Sequence, residues 1–254
     1  MNTSSDPSPP STTPTVLVAV ADGSEEIESV CIIDTLRRAD IHVVVAKVSA
    51  EDTNDQQNDL HIKASRGVNI VADEHLNRVK HHEFDMIVLP GGLPGAKLFA
   101  SNDTLIGMLR HQKKRMDEKM GRDNCSGATR HCSCKIFLAA ICASPAIVFA
   151  PNGILDGVSH VTCYPALKEQ LLSALTTSKS SDNNSGDSAQ ICFVMDDHHG
   201  ERKTVVSRNV ITSQGPGTSL DFALNLIARL VGEDRACTVA KQMLIDHFVP
   251  VKDH

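Results

Sequence analysis

The sequence predicts an α/β fold in which a mostly parallel, doubly wound sheet carries helices on both faces. Three observations predict it. Short continuous apolar runs recur, among them Thr15-Val-Leu-Val-Ala-Val20, Asp85-Met-Ile-Val-Leu-Pro90 and Lys135-Ile-Phe-Leu-Ala-Ala-Ile141, and such runs suit strands covered on both faces. Stretches of helical periodicity lie between them. Several of the runs stop at glycine- or proline-bearing breaks, the punctuation of strand-to-helix turns.

In chain order, Thr15 to Val20 reads as the first strand, Ala21-Asp-Gly-Ser24 as a turn, and Glu25 to Arg38 as a helix with Ser24 as its N-cap. Glu25 and Glu26 fall in the first turn and Arg37 and Arg38 in the last, where the helix dipole favours each sign. His42 to Val48 completes a β-α-β unit with a right-handed crossover. Ala50 to Asp59 is polar loop. Ile62 to Val71 holds one or two short strands around Arg66-Gly67, and a small helix runs from Asp73 to about His81. The Asp85 to Pro90 strand stops at Gly91-Gly92, a pair that permits close backbone approach. Thr104 to about Lys119 is helical, and Gly121 to Ser133 interrupts the pattern.

Lys135 to Ile141 is the central strand, and Ser144-Pro145 starts a helix. A strand from His160 to Cys163, a helix from Pro165 to Leu175 and a Ser/Asp/Asn loop from Thr176 to Ser188 follow. Ile191 to Met195 and Thr204 to Val206 read as a hairpin, and Asn209 to Thr212 as the last strand. An apolar helix from Leu220 to Val231 and an amphipathic one from about Asp234 to Phe248 close the chain. This order is that of a flavodoxin-like domain, whose sites lie at the carboxyl ends of the strands.

The 254 residues fit a disordered Ser/Thr/Pro-rich tail over 1–14 and one domain over 15–250, with inserts near 120–134 and 176–188. A net charge of −6 offers no basic footprint for nucleic acid, and no Trp with a single Tyr offers no stacking platform. No apolar run approaches the roughly twenty residues that span a bilayer. The tail carries no Lys or Arg, as a targeting sequence would, and the eight cysteines scattered through an aliphatic α/β pattern suit reduced thiols in the cytoplasm.

Cys142 sits where the central strand meets the next helix. The positive end of that helix and its unpaired N–H groups favour thiolate and an anion. Glu28, one turn into the first helix among Ile27, Val30 and Cys31, is the group expected to tune it: if buried, its pKa rises and it exchanges a proton with the sulfur. Cys125, His131, Cys132 and Cys134 are metal-ligand types, but their spacing is not that of a zinc site, so no metal is expected. His81-His82 and His198-His199 read as solvated histidines, and Gly215-Pro216-Gly217 as tight packing beside the elbow.

Four strings together resemble the ThiJ/PfpI superfamily, in the branch of the parkinsonism-associated protein deglycase and bacterial ThiJ/YajL-type relatives. They are Ala21-Asp-Gly-Ser-Glu-Glu-Ile-Glu28-Ser-Val, Val88-Leu-Pro-Gly-Gly92, Ala139-Ala-Ile-Cys142-Ala-Ser-Pro145 and Thr212-Ser-Gln-Gly-Pro-Gly-Thr218. The resemblance implies a homodimer that needs no cofactor. It implies Cys142 as nucleophile, Glu28 as the protonated partner of its sulfur, and the N–H groups of Gly92 and Ala143, next to Gly91, as oxyanion donors. Arg38 and Arg66 match arginines near the site across the dimer. The implied substrates are methylglyoxal, glyoxal or their early adducts with protein or nucleotide groups, and the implied product is a 2-hydroxy acid. The same resemblance implies an alternative role as a redox-sensing chaperone whose elbow cysteine becomes a sulfinate. Two departures stand out. Ala143 replaces the histidine of peptidase-like members, and Tyr164 replaces the histidine of the deglycase, leaving a hydrogen-bond donor in place of a base.

Overall fold

The structure is a computed structural model and describes residues 13–50, 59–122, 135–178, 191–194 and 204–253. The first half of the chain forms β1 (Thr15–Val20), α1 (Glu26–Arg38), β2 (His42–Lys47), β3 (His61–Lys63), β4 (Asn69–Val71), β5 (Glu74–His75), α2 (Leu76–Val79) and β6 (Met86–Leu89). Then come α3 (Leu93–Ser101), α4 (Asp103–Arg122), β7 (Phe137–Ile141), a π-helical turn (Pro145–Phe149) and β8 (His160–Val161). The last elements are α5 (Lys168–Ser178), β9 (Cys192–Phe193), β10 (Thr204–Ser207), β11 (Val210–Ser213), α6 (Ser219–Val231) and α7 (Glu233–Gln242).

The main sheet has seven strands in the order β10-β11-β7-β6-β1-β2-β5, and only β10 is antiparallel to its neighbour. From β1 the chain winds outward through β2 to β5, then returns to β6 on the other side of β1 and runs through β7 to the edge strand β10, from which β11 turns back to pair beside β7. Right-handed crossovers in opposite directions place their helices on opposite faces. Accordingly α1 packs on α6 and α6 on α7, while α3, α4, α5 and the π-helical turn form the other layer. The strands between are fully covered: Val16 to Ala21, Leu138 to Ile141 and Val88-Leu89 have no accessible surface. Burial on both faces is why these strands read as continuous apolar runs. The switch in winding direction lies between β1 and β6, and a doubly wound sheet opens its binding crevice there.

Five expectations change. Glu25, not Ser24, caps α1, its carboxylate accepting the Glu28 N–H at 2.8 Å, while Ser24 Oγ turns back to accept from Ala21 N–H at 2.9 Å. The helix expected over Asp73 to His81 is the edge strand β5 plus the four-residue α2, because β2 pairs with Glu74-His75 before the helix can start. α3 was not foreseen, since Pro94 and Gly95 in its first turn weaken the helical pattern. The expected hairpin does not form: β9 pairs with β8, and β10 turns through Arg208, at φ +54°, to pair with β11. α7 stops at Gln242, followed by Leu244 in the left-handed region. The tail, both inserts in their cores, the Cys125-to-Cys134 cluster and His198-His199 lie outside the described residues. Among the described residues no helix is long and apolar enough to cross a membrane.

Candidate active site

Three loops meet at the carboxyl ends of β1, β6 and β7, straddling the switch point. They pack so tightly that glycine is required in two of them. A Cβ on Gly23, already at φ +79°, would lie 2.5 Å from Pro94 Cβ, and one on Gly92, at φ +85°, would lie 2.7 Å from Glu25 N. Glu25 N–H donates to Gly91 O at 3.0 Å and joins the same two loops.

Cys142 ends β7 with φ +62°, a left-handed conformation that strains a non-glycine residue by about 1 kcal/mol or more. Such strain persists where the surroundings over-determine the backbone. Here Cys142 N–H donates to Ser213 O at 3.0 Å, Tyr164 N–H donates to Cys142 O at 2.7 Å, and the next loop is pinned by Ser144 Oγ donating to Pro90 O at 2.5 Å. The residue held this way is buried, only 8% exposed.

Glu28 comes from the first turn of α1 and has no accessible surface. Its Oε2 accepts the Gly91 N–H at 2.6 Å, its carboxyl hydrogen-bonds the Cys142 thiol, and Oε1 has no hydrogen-bond partner. Gly91 is the joint between the two: a Cβ there would fall 2.6 Å from Cys142 Cβ, 2.8 Å from Glu28 Oε2 and 3.0 Å from Cys142 Sγ. Burial, offset in part by the Gly91 and Cys142 hydrogen bonds, pushes the Glu28 carboxyl up to about 7. Its burial and the upward shift are those expected of Glu28 from its apolar neighbours.

The thiol departs from expectation. Burial first, then the charge of Glu28 and the hydrogen bond to it, push Cys142 up to about 12, whereas the N–H groups of Gly92 and Ala143 pull it down. The expected helix dipole is weak because the elbow leads into a five-residue π-helical turn, not an α-helix. Cys142 and Glu28 are therefore coupled: burial pushes the carboxyl up toward neutrality, and its charge and hydrogen bond add to burial in keeping the thiol protonated.

The structure thus brings Cys142, Glu28, Gly91, Gly92 and Ala143 together. Tyr164 joins them through its backbone alone: its side chain is 46% exposed and its ring lies against Gly215. Arg66 sits on the exposed β3–β4 turn, which is fastened to the start of α1 by Glu26 accepting Arg66 N–H at 2.7 Å and Ser65 Oγ at 2.8 Å. Arg38 is not at the site within its own chain. It closes α1 in an ion pair with Asp34 at 2.7 Å, ten residues beyond Glu28 and roughly 15 Å away along the helix axis. The sequence reading missed two supports. Glu26 reads as a first-turn glutamate like Glu25, and Ser144 as a helix starter, because their partners Ser65, Arg66 and Pro90 are distant in sequence and no local pattern marks them.

Comparison with known proteins identifies the family of the chain. The family model described as DJ-1/PfpI family matches residues 14–118 and 126–229. Protein DJ-1 homolog B of Arabidopsis thaliana is 38% identical over 233 residues, covering 92% of this chain and 42% of that protein, so the chain spans less than half the length of that relative. The glutathione-independent glyoxalase DJR-1.2 of Caenorhabditis elegans is 29% identical over 222 residues, covering 87% of this chain and 91% of that protein. Among solved structures, oxidized Toxoplasma gondii DJ-1 is similar with a TM-score of 0.69 at 33% identity, covering 92% of this chain and 100% of that one. The chain belongs to the DJ-1/PfpI family.

Proposed function

We propose that this protein is a cofactor-independent glyoxalase or deglycase that acts on methylglyoxal, or on its early adducts with protein or nucleotide groups, through Cys142. The observation that carries the reading is the Cys142–Glu28 pair, a strained elbow thiol hydrogen-bonded to a buried carboxyl poised near 7. The name of the Caenorhabditis elegans relative adds support.

In the proposed reaction the Cys142 proton passes to Glu28, and the thiolate adds to the aldehyde carbon of methylglyoxal. The resulting alkoxide accepts hydrogen bonds from the N–H groups of Gly92 and Ala143 and takes the proton back from Glu28, giving a hemithioacetal and an ionised Glu28. Ionised Glu28 removes the proton from the former aldehyde carbon and returns it to the neighbouring carbon while the hydroxyl proton moves from the first oxygen to the second, which completes an internal redox step. The aldehyde carbon is thereby oxidised to a thioester and the ketone carbon reduced to an alcohol. Water then cleaves the thioester to lactate and free Cys142. Unpartnered Oε1 of Glu28 is the atom left to meet the substrate hydroxyl. Tyr164 holds the Cys142 carbonyl through its N–H, and its exposed hydroxyl is free in this reading to donate to a bound substrate.

A homodimer is part of the reading. Ile27 and Val30 on α1 are exposed, as are Val68 and Val71 on the hairpin that Glu26 fastens to it, and a second copy would cover them. In such a dimer Arg38 and Arg66 would border the crevice. The cytoplasm is the proposed compartment, supported by Cys31, Cys142, Cys163, Cys192 and Cys237 being free thiols. A redox-sensing chaperone is the second reading. It rests on the same Gly92 and Ala143 donors, which would stabilise a Cys142 sulfinate beside a protonated Glu28.

The test is lactate formation from methylglyoxal without glutathione. Wild type is expected to turn over, with Cys142→Ser and Glu28→Gln inactive yet folded. Equal activity in Cys142→Ser would overturn the glyoxalase reading.

A further inference from the structure

On the other layer of the molecule, a groove runs along α4 beneath the loop that joins α2 to β6. Its cavity volume is about 270 Å³. The floor is apolar and buried, built of Phe84, Ile87 and Met108. The rim carries the nitrogen donors of Lys80, His81, His82 and His111, all exposed. None of the four side chains makes a hydrogen bond or ion pair among the described residues, and the His82 ring lies 6.4 Å from that of Phe84. Arg115, at one end, is already held by Glu83 at 2.9 Å and by Gln112 and Phe84 O, and Asp103 supplies a carboxylate at the other end.

Gly107 keeps the groove open. It stands in the interior of the twenty-residue α4, where glycine costs roughly 1 kcal/mol relative to alanine, and a Cβ placed on it would touch nothing within 4 Å. Neither packing nor backbone conformation demands glycine there, and because Gly107 lines the groove, a larger side chain at this position has open space to occupy.

We propose that this groove is a second binding site, for a small oxyanion carried on an apolar body about the size of one ring. The volume sets the size, since it falls just below the usual range for drug-sized ligands. Phe84, Ile87 and Met108 take the apolar body, and the rim imidazoles and Lys80 donate to the anion. The site is distinct from the Cys142 crevice. Phe84 precedes β6 and Gly91 follows it, a separation of roughly 23 Å along extended chain. The sequence marks His81-His82 only as solvated histidines; the structure adds His111 from a different element to the same rim.

The experiment titrates the full chain with phenyl phosphate, benzoate, benzyl alcohol and inorganic phosphate, reading calorimetric affinity and the histidine ring resonances by NMR. Phenyl phosphate or benzoate is expected to bind at least tenfold more tightly than benzyl alcohol or inorganic phosphate, shifting His81, His82 and His111. Whichever of the two anions binds tighter identifies the ligand as phosphate monoester or carboxylate. Gly107→Leu fills the groove with a better helix former, so it should lower affinity at least tenfold while Tm holds or rises. Unchanged affinity in Gly107→Leu would overturn the proposal, as would benzyl alcohol binding equally well, no binding at millimolar ligand, or shifts confined to the Cys142 crevice.

Discussion

Gly91→Ala probes the interlock of the proposed active site with a single methyl group. The added Cβ would stand 2.6 Å from Cys142 Cβ and 2.8 Å from Glu28 Oε2. Ordinary carbon contacts lie near 3.5–4.0 Å, so the thiol, the carboxyl or both must retreat by roughly 1 Å. Overpacking of that kind costs about 1–3 kcal/mol, and a 1 Å misplacement at a reacting centre costs about 10²-fold in rate. At ~2–4 °C per kcal/mol for a domain of this size, Tm should fall by several degrees while the far-ultraviolet spectrum is retained. The assay is kcat/KM for methylglyoxal conversion, with Gly215→Ala as control. A Cβ at Gly215 meets only Tyr164 Cδ2 at 3.7 Å, an ordinary contact. Activity of Gly91→Ala within twofold of wild type would refute the reasoning that these groups act as one rigid unit.

Three further expectations follow from the same geometry. Burial holds Glu28 at about 7 against an ordinary value of 4.5, so between those values the folded state binds more protons than the unfolded one and stability falls as pH rises. The contribution, on the order of 3 kcal/mol, is complete below about 4.5 and lost above about 7; Glu28→Gln should flatten that part of the Tm-against-pH curve, and an unchanged slope would count against it. Glu26→Ala strips the acceptor from Ser65 Oγ and Arg66 N–H, which should cost about 1–3 kcal/mol and speed amide hydrogen exchange at Arg66. Exchange as slow as in wild type would show that the hairpin is held by other means. Ile27→Glu places a charge in the exposed apolar face of α1 and should convert a dimer to a monomer in sedimentation velocity, whereas an unaltered dimer would remove α1 from the interface.

The parts of this fold legible in the sequence are those fixed by local pattern. β1, β6 and β7 are buried on both faces and so announce themselves as apolar runs, and the glycines after β6 mark a close approach of loops. Glu28 and Cys142 could be singled out because each stands just past such a run, and the glutamate's apolar neighbours suggested burial. Long-range contacts left no comparable trace. The pairing of β9 with β8, the capture of the Ser65-Arg66 turn by Glu26, and the closure of β10 on β11 depend on residues that meet only after folding. The state of the thiol was misjudged for a physical reason. A strand-to-helix elbow suggested a strong dipole, but a π-helical turn supplies little of one, and burial beside a carboxyl outweighs two backbone donors when that carboxyl is charged.

The central claim is that Cys142 and Glu28 share a proton and that this sharing makes the nucleophile. It is tested most directly by the pH dependence of Cys142 alkylation with iodoacetamide, followed by peptide mass spectrometry in wild type and Glu28→Gln. The wild-type rate is expected to rise with an inflection near 7, set by first ionisation of the pair, and Glu28→Gln is expected to lose that inflection. Superimposable profiles in the two proteins, both rising near the ordinary thiol value of 9.0, would contradict it.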